Sequence, residues 1–287
     1  MRVCGFTFVR NGVTFDYPFV ESLRSLLPLC DEVIVAVGDS DDDTLQRVEA
    51  LADPKIRILH TVWDPSRRSG GLILSDQTNL ALDRVNGDWG IYLQADEILH
   101  EKDYPAISAA MAAALPDRKI EGLLFRYVHF YGSYRYVGNS RRWYRREIRI
   151  VRPGTGVRSW GDAQGFRVDG RKLRVRLIDA DVYHYGWVKP PEIQQRKQKH
   201  FNKLWHPDSW VDSHVPDVPH FDYSNGGRLK AFEGTHPSVM ADRVRREDWK
   251  FDYDPGKVRQ APGEAMLDWI ERRSGVRLAE YRNYTLL

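Results

Sequence analysis

Val33-Ile34-Val35-Ala36-Val37 runs directly into Gly38-Asp39-Ser40-Asp41-Asp42-Asp43-Thr44, and the reading of this junction decides the fold class. An unbroken apolar run rich in valine, too short for a helix and bounded by an acidic turn, is the pattern of a strand covered on both faces. Such strands belong to parallel sheets with helices on either side. Upstream, residues 3–9 form another buried strand that ends at Arg10-Asn11-Gly12, where Asn-Gly marks a turn. Between the two strands, Phe19, Leu23, Leu26 and Leu27 recur at helical spacing, with Glu21 and Arg24 off that face. Downstream come a helix over about 44–52, a strand at Ile56-Arg57-Ile58-Leu59-His60, a helix holding Leu74, Thr78, Ala81 and Leu82, and a short strand from Trp89 to Leu93. Strands alternating with helices at these spacings predict right-handed crossovers and an α/β fold. The residues following positions 9, 37 and 93 are then expected along one edge, at the carboxyl ends of the strands, where ligands bind in open parallel sheets.

Beyond residue 100 the pattern changes. An Ala-rich helix over about 103–115 precedes an alternating strand, Gly122 to Tyr131; residues 141–152 and 172–178 read as further, antiparallel strands. From Pro190 onward Trp, His and Pro accumulate, and the chain ends in a helix near 263–273. This divides the chain into a core of residues 1–189 and a C-terminal extension of residues 190–287.

Composition narrows the function classes. The 287 residues are 42% hydrophobic and 29% charged, as in ordinary globular proteins. A net charge of +3 gives no reason to expect nucleic acid or another polyanion as partner. The two cysteines, Cys4 and Cys30, form neither a disulfide framework nor a zinc site and are expected to be buried thiols. The N-terminus does not read as a signal peptide and no apolar stretch approaches the roughly 18 residues of a membrane span. A cytoplasmic protein is expected, with peripheral contact at the inner face of a membrane left open.

These motifs together resemble the family 2 glycosyltransferases with the GT-A fold, over roughly residues 3–190. Val33–Val37 with its Gly38–Thr44 loop is similar to the family's nucleoside-binding strand and D-G-S-x-D-x-T loop. Gly87-Asp88-Trp89, an apolar strand and Gln94-Ala95-Asp96-Glu97 resemble the D-x-D metal element; Gly70-Gly71 and Asp76-Gln77-Thr78-Asn79 lie where the family has its G…A-x-N helix; and His184 in Tyr183-His184-Tyr185-Gly186-Trp187 matches a histidine recruited as a further metal ligand. The resemblance implies a Rossmann-like, mixed and mostly parallel sheet flanked by helices. It also implies transfer of a sugar, with inversion, from a nucleotide-sugar donor, UDP by default, assisted by Mn²⁺ or Mg²⁺. Asp96, Glu97 and His184 are the implied metal ligands, His184 favouring Mn²⁺. Phe8, Val9, Arg10, Asp39, Gln77, Gln94 and Ala95 are the implied donor-binding residues, and Asp162, between the metal motif and the late histidine, the implied general base, with Asp179 and Asp181 as weaker rivals. The sequence departs from the pattern at Gln94, a neutral amide where the motif begins with an acid.

The run Arg141-Arg142-Trp143-Tyr144-Arg145-Arg146 before Glu147 to Arg152 invites three readings: a plain strand with an arginine or two reaching the site, a seat for an anionic acceptor, or a nucleic-acid surface. The acceptor class, a glycan, a lipid-linked glycan or a protein, is not set by any motif; the aromatic-rich residues 190–260 are expected either to help choose it or to pair the chain into a homodimer. A nucleotidyltransferase is the weaker alternative, since Arg10-Asn11-Gly12 is a poor phosphate loop. A sugar- or nucleotide-binding module without catalysis is the other, with Gln94 as its mark.

Overall fold

The computed structural model describes residues 1–67, 69–258, 262–275 and 277–287. In chain order its elements are β1 (Val3–Val9), α1 (Phe19–Leu26), β2 (Glu32–Gly38), α2 (Thr44–Glu49), β3 (Ile56–Thr61), α3 (Leu72–Leu82), β4 (Trp89–Tyr92), β5 (Glu97–Leu99) and α4 (Tyr104–Ala114). Then follow β6 (Gly122–Tyr131), β7 (Ser133–Gly138), β8 (Arg146–Val151), β9 (Val157–Trp160), β10 (Gly165–Val168), β11 (Arg171–Lys172) and β12 (Arg174–Trp187). The remainder comprises α5 (Pro191–Lys203), α6 (Asp208–His214), β13 (Leu229–Ala231), α7 (Ala241–Arg245), α8 (Pro262–Ser274) and β14 (Thr285–Leu286).

The sheet is mixed, with a parallel half in the order β4-β1-β2-β3. Its inner strands β4, β1 and β2 carry apolar residues at successive positions because both faces are covered, whereas the edge strand β3 is only partly buried. On one face Val33, Val35 and Val37 of β2 pack with Ile91 of β4 against Leu23 and Leu26 of α1 and Ile107 and Met111 of α4. On the other, Phe6, Ile34 and Ala36 meet Ala81 and Leu82 of α3 and Phe166 of the small β9-β10-β11 sheet. The four parallel strands all point their carboxyl ends to one edge, the expected ligand edge.

The other half is built around β6. β8 runs antiparallel between β4 and β6, and β12 runs parallel to β6 along nearly its whole length. The short β5 pairs antiparallel with β12, so that Glu97, His184 and His129 fall side by side on β5, β12 and β6. Two segments differ from the sequence expectation. Residues 141–152 are a strand only from Arg146, because the chain turns at Ser140–Trp143 and Trp143 packs over Gly138, where a Cβ would collide with the indole. Of residues 172–178, Lys172 ends β11 and Arg174 opens the 14-residue β12, which here pairs parallel with β6 where an antiparallel strand was expected. Residues beyond 190 lie against the rest of the chain: β13 extends the sheet at β7 and β14 pairs with β12. Cys4 and Cys30 are buried and free. Among the described residues no helix is long and apolar enough to cross a membrane.

Candidate active site

A cleft of about 540 Å³ opens at the carboxyl edge of the parallel strands. Phe8, Val9 and Arg10 enter it from the end of β1, Gln94, Ala95 and Asp96 from the turn after β4, Asp162 from the β9–β10 loop and His184 from β12. The far wall comes from the extension: Lys197, His200 and Phe201 of α5, followed by Trp205.

The turn Gln94–Glu97 is where two acidic neighbours part company. The Glu97 N–H donates to the Gln94 carbonyl at 3.0 Å, so Asp96 sits within the turn at the cleft while Glu97 opens β5 with its side chain in the interior. Glu97 is fully buried; both its oxygens accept from Arg149 (Nε to Oε2 and Nη2 to Oε1, each 2.7 Å), and it also takes the Tyr127 hydroxyl at 2.8 Å and the Gln94 N–H at 3.0 Å. Glu97 therefore has no oxygen to offer a metal in the cleft, which corrects its assignment as a ligand. Arg149, itself fully buried, is sandwiched between Tyr92 and Tyr127, with its guanidinium carbon 5.2 and 5.3 Å from the ring centres.

Asp96 and His184 do converge. The carboxylate Oδ1 lies 3.7 Å from His184 Nε2, and Lys197 Nζ stands 3.5 Å from Oδ2 while donating to the Gly186 carbonyl at 2.9 Å. Burial works to raise the Asp96 carboxyl, yet His184, Lys197 and Lys189 together hold it below the ordinary carboxylate range. Burial pushes Lys197 down and takes the fully buried Lys189, which donates to the Asp16 carbonyl, to about 7. The imidazole of His184 is also pushed down by burial, against the pull of Asp96 and Glu97. Its Nδ1 lies 3.0 Å from Nδ1 of His129, whose Nε2 is 2.8 Å from the Tyr144 carbonyl. Burial, reinforced by His184, drives His129 well below the usual imidazole range, so it is neutral.

A divalent ion fits here. Two atoms with lone pairs, an aspartate oxygen and a histidine nitrogen, face each other too far apart for a direct hydrogen bond. Beside them Gly186 leaves open a space that a Cβ would fill: it would lie 2.5 Å from Asp96 Oδ2 and 2.7 Å from His184 Nε2. An oxygen and an imidazole suit Mn²⁺ or Mg²⁺ whose remaining positions go to substrate phosphates and water. Among the described residues there is no set of three or more His, Cys, Asp and Glu that could enclose an ion from protein alone.

Gln94 has a role that a carboxylate could not take. Its Nε2 donates to the Ala163 carbonyl at 3.3 Å, tying the loop that carries Asp162 to the end of β4. That loop turns through left-handed backbone at Gly161 and Ala163, and Asp162 Oδ1 accepts from its own Gln164 N–H at 3.3 Å. Asp39 stands behind the cleft wall, 3.2 Å from Arg10 Nε and accepting the Trp63 N–H at 3.2 Å; Arg10 in turn stacks over the Trp63 ring. The rest of the acidic loop braces the β1 turn: Asp42 accepts from Thr14 N–H at 2.7 Å, and Thr44 Oγ1 from Gly12 N–H at 2.7 Å. Gln77 is not brought to the cleft. It is buried on α3, with Nε2 3.4 Å from the Val62 carbonyl. Asp179 and Asp181 are paired with Arg126, away from the cleft.

The model for the family described as "Glycosyl transferase family 2" matches residues 17–182. The chain belongs to glycosyl transferase family 2. The match takes in β2, the Gln94–Glu97 turn and the Asp162 loop, and ends just before His184, so the family 2 portion excludes α5 and its cleft-lining residues. Among solved structures, S. aureus TarS is 14% identical with a TM-score of 0.40, over 74% of this chain and 42% of that one. A 1–349 form of TarS in complex with UDP-GlcNAc is likewise 14% identical with a TM-score of 0.40, over 74% and 70%. Glucosyl-3-phosphoglycerate synthase from Mycobacterium tuberculosis, in complex with Mn²⁺, UDP and phosphoglyceric acid, is 19% identical with a TM-score of 0.30, over 45% of this chain and 43% of that one. This chain thus spans less than half the length of the full TarS chain. No curated protein matches.

The sequence reading missed His129, Tyr144, Arg149, Lys189 and Lys197 around the site. The 141–152 arginines also prove to have internal partners. Arg149 holds Glu97, Arg152 stacks on Trp89 and donates to the Ile120 carbonyl, and Arg141 and Arg145 pair with Glu271 and Glu280 from the C-terminal residues. These four arginines tie the strand and its flanks to the rest of the chain.

Proposed function

We propose that this chain transfers a sugar, with inversion, from a nucleotide-sugar donor, with UDP as the nucleotide, to a hydroxyl of a glycan, lipid-linked or protein acceptor. The observation that carries this reading is the facing pair of Asp96 and His184 in the cleft at the carboxyl edge of a family 2 sheet. These two residues would hold the divalent ion, Mn²⁺ or Mg²⁺, which when bound offsets the charge of the departing diphosphate as a Lewis acid. Lys197 adds a buried cation beside the same leaving group. Phe8, Arg10 and Trp63 form the nucleoside wall, with Asp39 orienting Arg10 and Trp63 from behind. Gln94 and Ala95 shape the floor.

Inversion requires a base on the acceptor side. Asp162 would accept the acceptor hydroxyl's proton as that oxygen attacks the anomeric carbon and the bond to the diphosphate breaks. Its replacement by asparagine is expected to lower turnover by about 10²- to 10⁴-fold with donor affinity preserved; equal losses in both would assign Asp162 to the loop's structure instead. The division at residue 189 is proposed on the same basis: residues 1–189 carry the donor site and the chemistry, and residues 190–287 add Lys197 beside Asp96 and supply the acceptor-side wall through His200 and Trp205.

The test of the function as a whole is thermal stability in the presence of UDP, GDP, CDP and dTDP and their sugars, each with and without Mn²⁺. A ligand that binds only the folded chain raises the melting temperature by mass action, about 2.7 kcal/mol of added stability at a hundredfold excess over its Kd. A rise of several degrees confined to one nucleotide and dependent on Mn²⁺ is expected. A rise without hydrolysis of the nucleotide-sugar would favour a binding module that has lost its chemistry, and no rise with any of them would overturn the nucleotide-sugar reading.

A further inference from the structure

We propose that His129 is a positioning residue that fixes the tautomer of His184 and so turns its Nε2 lone pair toward Asp96. The inference deepens the metal-assisted reading above and rests on it for its consequence, though not for its geometry.

The hydrogen bonds run in one direction only. The Tyr144 carbonyl has no hydrogen to give, so His129 Nε2, 2.8 Å away, must carry the N–H. A neutral imidazole has a single N–H, which leaves His129 Nδ1 bare. The 3.0 Å contact between the two Nδ1 atoms then needs its hydrogen from His184. With Nδ1–H committed to His129, His184 Nε2 holds a lone pair, aimed at the Asp96 carboxylate 3.7 Å away. Sheet register builds the relay: His184 and His129 are paired residues on the parallel strands β12 and β6. Both rings are packed in place, His129 against Tyr144 and Trp143. An unconstrained side chain prefers the opposite tautomer, with hydrogen on Nε2, which would present an N–H to the cleft and repel a cation. Histidine ligands to metals commonly owe their tautomer to a partner at the other ring nitrogen, and losing such a partner weakens metal binding by about 10- to 100-fold. Here that partner is a second histidine, itself oriented by a backbone carbonyl.

Two measurements test this. In the metal-free full chain at neutral pH, imidazole ¹⁵N shifts should show His184 with hydrogen on Nδ1 and His129 with hydrogen on Nε2. Finding His184 with hydrogen on Nε2 would overturn the proposal outright. Mn²⁺ affinity in the presence of UDP should then fall about 10- to 100-fold in His129→Leu. It should largely recover in His129→Gln, whose amide oxygen accepts from His184 and whose NH₂ donates to Tyr144. A purely structural role would lower the melting temperature of the leucine variant without moving Mn²⁺ affinity or the His184 tautomer, and that result would also sink the proposal. The predicted tautomers in a wild-type chain that binds no Mn²⁺ would uphold the relay and remove the metal reading instead.

Discussion

Asp96→Asn is expected to reduce metal-dependent turnover by about a hundred- to a thousandfold, the equivalent of about 3–4 kcal/mol of transition-state stabilisation. Asparagine keeps the shape and one oxygen but removes the single carboxylate that faces the cleft beside His184, since Glu97 is consumed by Arg149. Initial rates across a Mn²⁺ titration, with nucleotide affinity measured separately, would show the loss in turnover; a variant within about tenfold of wild type would take Asp96 out of the machinery. The stability effect has a sign as well. The Asp96 carboxyl lies below its ordinary range in the folded chain, so its pairing with Lys197 stabilises the fold above about pH 4, the carboxylate range of the unfolded chain. That contribution disappears as pH falls below this range. The stability gap between wild type and Asp96→Asn should therefore close in acid. Gly186→Ala provides a companion with every charge retained. A methyl group would crowd Asp96 Oδ2 and His184 Nε2, so Mn²⁺ affinity should fall in this variant too, with an overpacking cost of about 1–3 kcal/mol.

The parts of this molecule that were legible in the sequence are those where one residue type does one job. β1, β2 and β4 are mostly apolar runs because both their faces are covered, and α1 shows its stripe because only one face is. Asp96 and His184 were legible because they sit in motifs whose order along the chain resembles a known family. The helix α5 was not. It opens Pro190-Pro191, which reads as a break, although proline suits the first turn of a helix. Its inward face carries Gln194, Gln195 and Lys197 in place of an apolar stripe. Helical periodicity in hydrophobicity is blind to a face buried against a polar cleft. The same limit hid Arg149, His129 and Lys189: a buried charged or titratable residue has the same letter as a solvated one, and its burial depends on partners distant in sequence. Glu97 was misread for a related reason. Adjacent acids look like a ligand pair, but the turn leaves Asp96 at the cleft while Glu97 opens β5 and is buried in the core.

That buried partner of Glu97 gives the largest expected effect on stability. Arg149→Met should destabilise the chain by about 3–5 kcal/mol, a large share of the roughly 5–15 kcal/mol that holds a typical domain folded. Methionine fills much of the space between Tyr92 and Tyr127, so the loss would come from electrostatics: it strands a carboxylate that has no exposure to water, with only the Tyr127 hydroxyl and the Gln94 N–H left to it. Urea unfolding of Arg149→Met, Glu97→Leu and the double variant would measure the coupling. Each single variant leaves one buried charge unpaired, whereas the double variant leaves none, so the double should be more stable than either single. Additive losses would show that the two residues do not depend on each other. The functional consequence separates from the stability one. Glu97 also accepts the Gln94 N–H and so closes the turn that presents Asp96, while Arg149 donates to the Gln164 carbonyl in the Asp162 loop. A double variant that regains stability should therefore still bind Mn²⁺ and donor poorly, because the ion pair that can be dispensed with for folding is the one that sets Asp96 and the candidate base Asp162 relative to each other.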